Sequence, residues 1–376
     1  MHTIHVGCRL VGMETRVNLS PVQWIRALQF AFVNGVVDIT PLVRLDPARR
    51  MIGELPTLVY SHRVRAHRVP IVLVHGMSPL GADDPRIDRC ARALAANGYQ
   101  VLVPSLVSLQ QLRITTTTAD ELSSYVSAVV QDPRLCPDGQ AAMMAASFSA
   151  SLALNVAARP AMRGRMSALL SIGAFGSIDT LIPYLLTDSA ADPYGAAVVM
   201  ANFADAVLSD GEEIARLYHV KALHKFRPED VIPREAFERA LQSVSLRVRS
   251  AYWKIEHHAA YRQEIAHRIL SSVPSICTAL NVVEHVPHIS APLFLMHGAT
   301  DNVVPPQELD VLVQALAGSS VRYQALCSPL LGHGQADLRP AVRDLWNLGR
   351  LLSGYFGAVG SRFDAKNAHL TLSEQG

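Results

Sequence analysis

Four short segments of this 376-residue chain carry side chains whose types and settings suit chemistry. Ala145-Ala146-Ser147-Phe148-Ser149 joins an apolar run to a stretch of small and apolar residues. A serine at a sharp strand-to-helix turn, with small residues two before and two after it, has an exposed hydroxyl. It also sits where the next helix presents its unpaired N–H groups. The usual pattern is G-x-S-x-G, and here Ala145 and Ser149 replace the two glycines. Ser149 has Ser147 and Ser151 at the same spacing and is the alternative nucleophile. Ser147 is preferred because it directly follows the apolar run and because Leu152-Ala153-Leu154 begins five residues later.

The second segment is His297-Gly298-Ala299-Thr300-Asp301-Asn302-Val303-Val304-Pro305. An aspartate just past a strand can hold a histidine ring in one tautomer, and Asp301 is the candidate. The third, Leu331-Gly332-His333-Gly334, places a histidine between glycines, uncrowded enough to act as a general base. The fourth, His75-Gly76-Met77-Ser78, is a strand end whose glycine lets the backbone approach an oxyanion closely. The N–H groups of Met77 and of Phe148, which follows the nucleophile, are the expected oxyanion hole.

These segments need elements to place them. Residues 70–75 are a nearly continuous apolar run, as expected of a strand buried on both faces. Further strands are expected at 57–64, 99–103, 140–146, 168–173, 292–297 and 321–327. Helices are expected near 21–33, 85–97, 119–130, 148–158, 306–317 and 340–354. Asp84-Pro85 starts one helix and Gly98 ends it. Strands alternating with helices predict parallel pairing with helices on both faces. From 178 to 290 the alternation stops and the pattern is helical. Asp210 with Glu213 has capping-box-like spacing, and Pro233 opens a helix with Phe237, Leu241 and Val244 on one face. A helical insertion between two parallel strands reads as a cap over the carboxyl end of the sheet. The expected organisation is an extension at 1–66 packed on the core, a core at 67–177 and 291–356, a cap at 178–290 and a polar tail at 357–376.

Composition narrows the function. With 34 Lys+Arg against 32 Asp+Glu the formal charge is +2, which gives no reason to expect a nucleic-acid partner. Hydrophobic residues at 49% and charged residues at 18% exclude a mainly disordered chain. The best candidate for a membrane span, 24–43, is interrupted by Arg26, Asn34 and Asp38. Five scattered cysteines without CxxC spacing argue against a disulfide framework or zinc site. Together with an N-terminus lacking a basic-then-apolar signal pattern, they point to a reducing, cytoplasmic setting. His285 and His288, in HxxH spacing, and the pair His257-His258 have neither the acidic cluster nor the HExxH pattern of a metal site. The basic stretch 62–68 reads as a solvated strand edge.

Ser147, Asp301 and His333 fall in the order nucleophile, acid, histidine. On that order and on the segments PIVLVHGMSPLG, HGATDNVVPP and LLGHG, residues 68–355 resemble the α/β-hydrolase superfamily with a helical cap. The resemblance implies a predominantly parallel, doubly wound α/β sheet. It also implies a serine hydrolase of carboxylic esters that works through an acyl-enzyme, on a small and partly apolar substrate, without cofactor or metal. The same residues serve an acyltransferase, and the fold also hosts non-catalytic ligand-binding proteins.

Overall fold

The computed structural model describes residues 10–11, 21, 23–27, 30, 46–61, 68–224, 235–330 and 342–360. Its strands are β1 (Leu10–Val11), β2 (Ala48–Ile52), β3 (Leu55–Tyr60), β4 (Ile71–Val74), β5 (Val101–Pro104), β6 (Ala141–Ala146), β7 (Met166–Ile172), β8 (Leu293–Gly298) and β9 (Tyr323–Ser328). They form one sheet in the order β1-β9-β8-β7-β6-β4-β5-β3-β2. Every pairing from β5 through β4, β6, β7 and β8 to β9 is parallel. The edges are antiparallel: β2 on β3, β3 on β5, and β1 on β9.

The central strands are apolar on both faces because each face is covered. In β4, Val72 and Val74 enter one core while Ile71 and Leu73 enter the other. In β6, Ala141, Met143 and Ala145 join the first core and Ala142 and Met144 the second. This is the period-2 alternation of a strand, with no solvent face. The second core is closed by α1 (Pro85–Ala96) and α13 (Val342–Gly360), through Ala91, Leu94, Leu352 and Phe356. The first is closed by α3 (Thr118–Gln131) and α4 (Phe148–Ala158). A short helix, α2 (Val107–Gln110), follows β5. Asp84 starts α1 as expected, its carboxylate accepting from Arg86 N at 2.9 Å. Helix α12 (Gln307–Leu316) lies between β8 and β9.

Between β7 and β8 run α5 (Ile178–Thr187), α6 (Pro193–Val207), α7 (Gly211–Leu223), α8 (Ala236–Ser243), α9 (Leu246–His257), α10 (Ala259–Ser272) and α11 (Pro274–Ala279). Their apolar faces, including Ile182, Val199, Leu217 and Ile265, continue the first core. Among the described residues, no helix is long and apolar enough to cross a membrane.

The structure departs from the sequence reading in several places. Residues 48–60 form the hairpin β2–β3 within the sheet and do not merely pack on it. Strand β2, ARRMI, buries only its last residue, so it had no apolar pattern to read. The Asp210–Glu213 capping box does not form: Asp210 makes no cap bond and pairs with Arg247 at 2.8 Å. Helix α8 contains Phe237 and Leu241 but ends before Val244, and Pro233 lies outside the described residues. Helix α13 runs past the expected boundary at 356 to Gly360. Of the basic stretch, 62–67 lie outside the described residues, while Arg68 is hydrogen-bonded to Asp138 at 2.7 Å.

Candidate active site

Strand register assembles the site. Val74 of β4 pairs with Ala145 of β6, and Ala146 pairs with Ile172 of β7. The loops leaving the carboxyl ends of these strands therefore start side by side, with Gly76, Ser147 and Gly173 as neighbours. Ile172 in turn pairs with Met296 of β8, and Asp301 follows that strand. Ligands bind at this end of an open parallel sheet, beside the strand from which successive connections diverge. Here that strand is β4, flanked by β5 and β6.

Ser147 stands alone between β6 and α4. Its backbone is at φ +59°, ψ −138°, outside the helical region and on the positive-φ side that L-residues rarely adopt. Ser147 N donates to Ile172 O at 2.7 Å and Ser147 O accepts from Ala150 N at 2.8 Å, so the turn is held on both sides. The side chain is half-buried, and among the described residues its hydroxyl has no hydrogen-bond partner. A Cβ built on Gly76 would lie 3.7 Å from Ser147 Cβ and 3.5 Å from Ala146 O.

Ser149 occupies a different environment. It is fully buried in the first turn of α4 and donates to Ala146 O at 2.8 Å, beneath the turn that displays Ser147. Phe148 opens α4, so its N–H belongs to the first turn, where helical N–H groups have no intrahelical acceptor. Met77 lies in the loop after β4, and its carbonyl accepts from Tyr194 Oη of α6 at 2.9 Å. The same loop is braced by Ser78, which donates to Asp84 Oδ2 at 3.0 Å. Burial works to raise the Asp84 carboxyl, but Arg86 and Ser78 outweigh it and hold it below the usual aspartate value.

Asp301 is held by its own turn. Its Oδ1 accepts from Val303 N at 2.9 Å and Val304 N at 3.0 Å. Its Oδ2 faces Gly173 and lies 3.9 Å from His297 Nε2. His297 is buried and uses Nε2 to donate to Val304 O at 2.9 Å, a bond that stiffens the loop carrying Asp301. His75 is also buried. Its Nε2 accepts from Leu106 N at 3.2 Å while Nδ1 faces Gly76 O at 2.8 Å, an arrangement that requires the neutral ring protonated at Nδ1. Burial pushes its pKa below the ordinary histidine value. His333 lies outside the described residues.

A cavity of about 50 Å³ opens beside Ser147, Met77 and Phe148, walled by α5 and α6. A larger one, of about 560 Å³, lies around Asn155 and Arg159 at the far end of α4 and includes His285 and His288. It offers no serine or cysteine and shares no residue with the first, so the smaller cavity is the one that matches the chemistry. Among the described residues, no three His, Cys, Asp or Glu side chains gather to hold a metal ion.

Two participants were missed by sequence reasoning. Gly173 follows β7 at φ +66°, and the apolar run ending in glycine was its only signal. Tyr194 reaches Met77 from a separate helix, and nothing in the sequence marked it.

No protein-family model matches the chain, and no curated protein does. Solved structures with similar chain paths include an acylaminoacyl peptidase from Pyrococcus horikoshii, at 13% identity and a TM-score of 0.46, covering 85% of this chain and 42% of that one. A dienelactone hydrolase from Anabaena variabilis is 14% identical with a TM-score of 0.42, over 83% of this chain and 96% of its own. A rice cell wall degrading esterase, LipA from Xanthomonas oryzae, is 12% identical with a TM-score of 0.49, over 80% and 84%. This chain thus spans about two fifths of the length of the peptidase. At such distances the fold rests on the chain's own strand order and on the turn at Ser147, and that fold is the α/β-hydrolase fold.

Proposed function

We propose that this chain of α/β-hydrolase fold is a serine hydrolase that cleaves carboxylic esters through an acyl-enzyme. The observation that carries the reading is the backbone of Ser147, a non-glycine residue at φ +59° between strand and helix, half-buried and facing an apolar cavity. Strain of this kind costs roughly 1–3 kcal/mol and persists only where the surroundings impose it.

In this reading Ser147 Oγ attacks the ester carbonyl while His333 takes its proton. Asp301 orients His333 and stabilises the imidazolium. The oxyanion receives hydrogen bonds from the N–H groups of Met77 and Phe148. In support, Met77 N makes no hydrogen bond among the described residues, and Phe148 N lies in the first turn of α4. As the tetrahedral intermediate collapses, His333 returns the proton to the departing alcohol. Water then attacks the acyl-enzyme by the same steps in reverse and releases the acid. The helices of residues 178–290 act as a cap, tied to the Asp301 loop where Asp192 N donates to Asn302 O at 2.8 Å.

Labelling with a fluorophosphonate, followed by peptide mapping, tests the assignment. The adduct is expected on Ser147. Ser147→Ala should abolish labelling and ester hydrolysis at an unchanged unfolding midpoint. Ser149→Ala should keep both activities while losing about 1 kcal/mol of stability, the usual contribution of a buried hydrogen bond. An adduct on Ser149, or a folded protein that never labels, would overturn the reading; the second result would favour a non-catalytic binder. Acceptor alcohols added to the assay separate hydrolysis from acyl transfer.

A further inference from the structure

The cavity beside Ser147 is small, and α5 and α6 form an apolar wall along it. Leu185 of α5 and Val198 and Val199 of α6 line it, all buried. Gly195 shows how near these helices stand: a Cβ placed on it would meet the end of the Leu185 side chain. Tyr194 also lines the cavity, but its hydroxyl donates to Met77 O. Among the described residues, the lining contains no charged side chain.

Size and polarity together define a substrate class. One water-sized group needs about 10–15 Å³ of such a cavity. The cavity of about 50 Å³ therefore holds about four non-hydrogen atoms. We infer that the site accepts esters of short, unbranched, uncharged acyl groups, from acetyl to butyryl, and that α5 and α6 set this limit. The inference rests on Ser147 being the nucleophile. It narrows the broader expectation of a partly apolar ester, because a pocket that took long chains would need an open channel between these two helices. The alcohol part of the substrate lies outside this cavity and is not restricted by it.

The test uses p-nitrophenyl esters from C2 to C10, together with labelling rates for ethyl and octyl fluorophosphonates. Up to the length that fits, each buried methylene should raise kcat/KM about fourfold. Beyond C4, kcat/KM should fall at least tenfold by C8, and the ethyl probe should label faster than the octyl one. Val198→Ala should move the optimum to longer chains, and the filling change Val199→Leu should move it toward acetate; unfolding midpoints verify that each variant is folded. If Ser147 labels but the profile is flat or peaks at C8 or beyond, the chain-length limit is wrong and the nucleophile stands. If Ser147 labels with neither probe, the nucleophile assignment fails and the acyl pocket fails with it.

Discussion

Gly173 separates Asp301 from the turn at Ser147: a Cβ on it would stand 3.4 Å from Asp301 Oδ2 and 4.0 Å from Ser147 N. The residue also sits at φ +66°, where L-side chains pay a steric cost, and its N–H donates to Met296 O at 2.7 Å. A side chain here would be strained by the backbone and would lie in contact with the carboxylate. Gly173→Ala should lose roughly 1–2 kcal/mol of stability from the backbone alone. It should also lower kcat/KM at least tenfold. Unfolding curves and ester kinetics on the same preparation check both effects, and unchanged values in both would show that Gly173 is not the spacer.

In the proposed mechanism Asp301 has two duties, and a pair of substitutions separates them. Its Oδ1 holds the turn through Val303 N and Val304 N, and an asparagine oxygen can accept the same bonds. Asp301→Asn should therefore stay nearly as stable as the parent while losing activity on the order of 10³–10⁴-fold, since the charge that supports the imidazolium is gone. Asp301→Ala should lose the turn as well, with about 1–3 kcal/mol less stability from the two orphaned N–H groups. Full activity in Asp301→Asn would remove this residue from the triad.

Tyr194 ties α6 to the loop that carries Met77. Burial raises its pKa well above the ordinary tyrosine value, so it remains a donor to Met77 O at any pH the protein survives. Tyr194→Phe keeps the ring in the cavity wall and deletes the bond. The expected result is a drop in kcat of about 3- to 10-fold, matching the roughly 0.5–1.5 kcal/mol of one hydrogen bond. KM should hold within a factor of about two, and the pH profile should not move. A change confined to KM would indicate a role in substrate contact instead.

His75 predicts how stability depends on pH. Burial lowers its pKa in the folded protein, so between the unfolded value of about 6.5 and the lower folded value the unfolded chain binds the extra proton. The His75 contribution is therefore complete above about pH 6.5, declines as pH falls, and is gone below the folded value. His75→Gln should flatten the slope of unfolding free energy against pH between about pH 5 and 7. The acid limb of activity, expected at an apparent pKa of about 6–7 and assigned to His333, should survive in this variant. Loss of that limb would mean His75, not His333, titrates in the rate.

Much of the frame was legible in the sequence because its signals are local. The apolar run before Ser147 and the small residues after it gave β6 and α4 nearly to the residue, as 141–146 and 148–158. Asp84-Pro85 gave the start of α1 through a cap that involves only its own neighbours. The alternation of strands and helices from residue 70 onward implied parallel pairing, because a parallel connection needs a crossover. Strand β2 was missed because exposed edge residues carry no burial pattern and exist as a strand only through their partner β3.

Tertiary structure decided what depends on contacts between distant segments. Ser147 and Ser149 have the same residue type and the same flanking pattern. Only the fold turns one toward a cavity and seals the other against Ala146 O, since two residues along a helix start carry the side chain from the surface to the interior. Register across β4, β6, β7 and β8 brought Gly76 and Gly173 against the turn, and no spacing along the chain encodes register between strands that far apart. The bond from Tyr194 to Met77 and the narrow space between α5 and α6 arise from how the inserted helices dock. Docking is set by the shape of many buried side chains together, and shape of that kind is not written in any one segment.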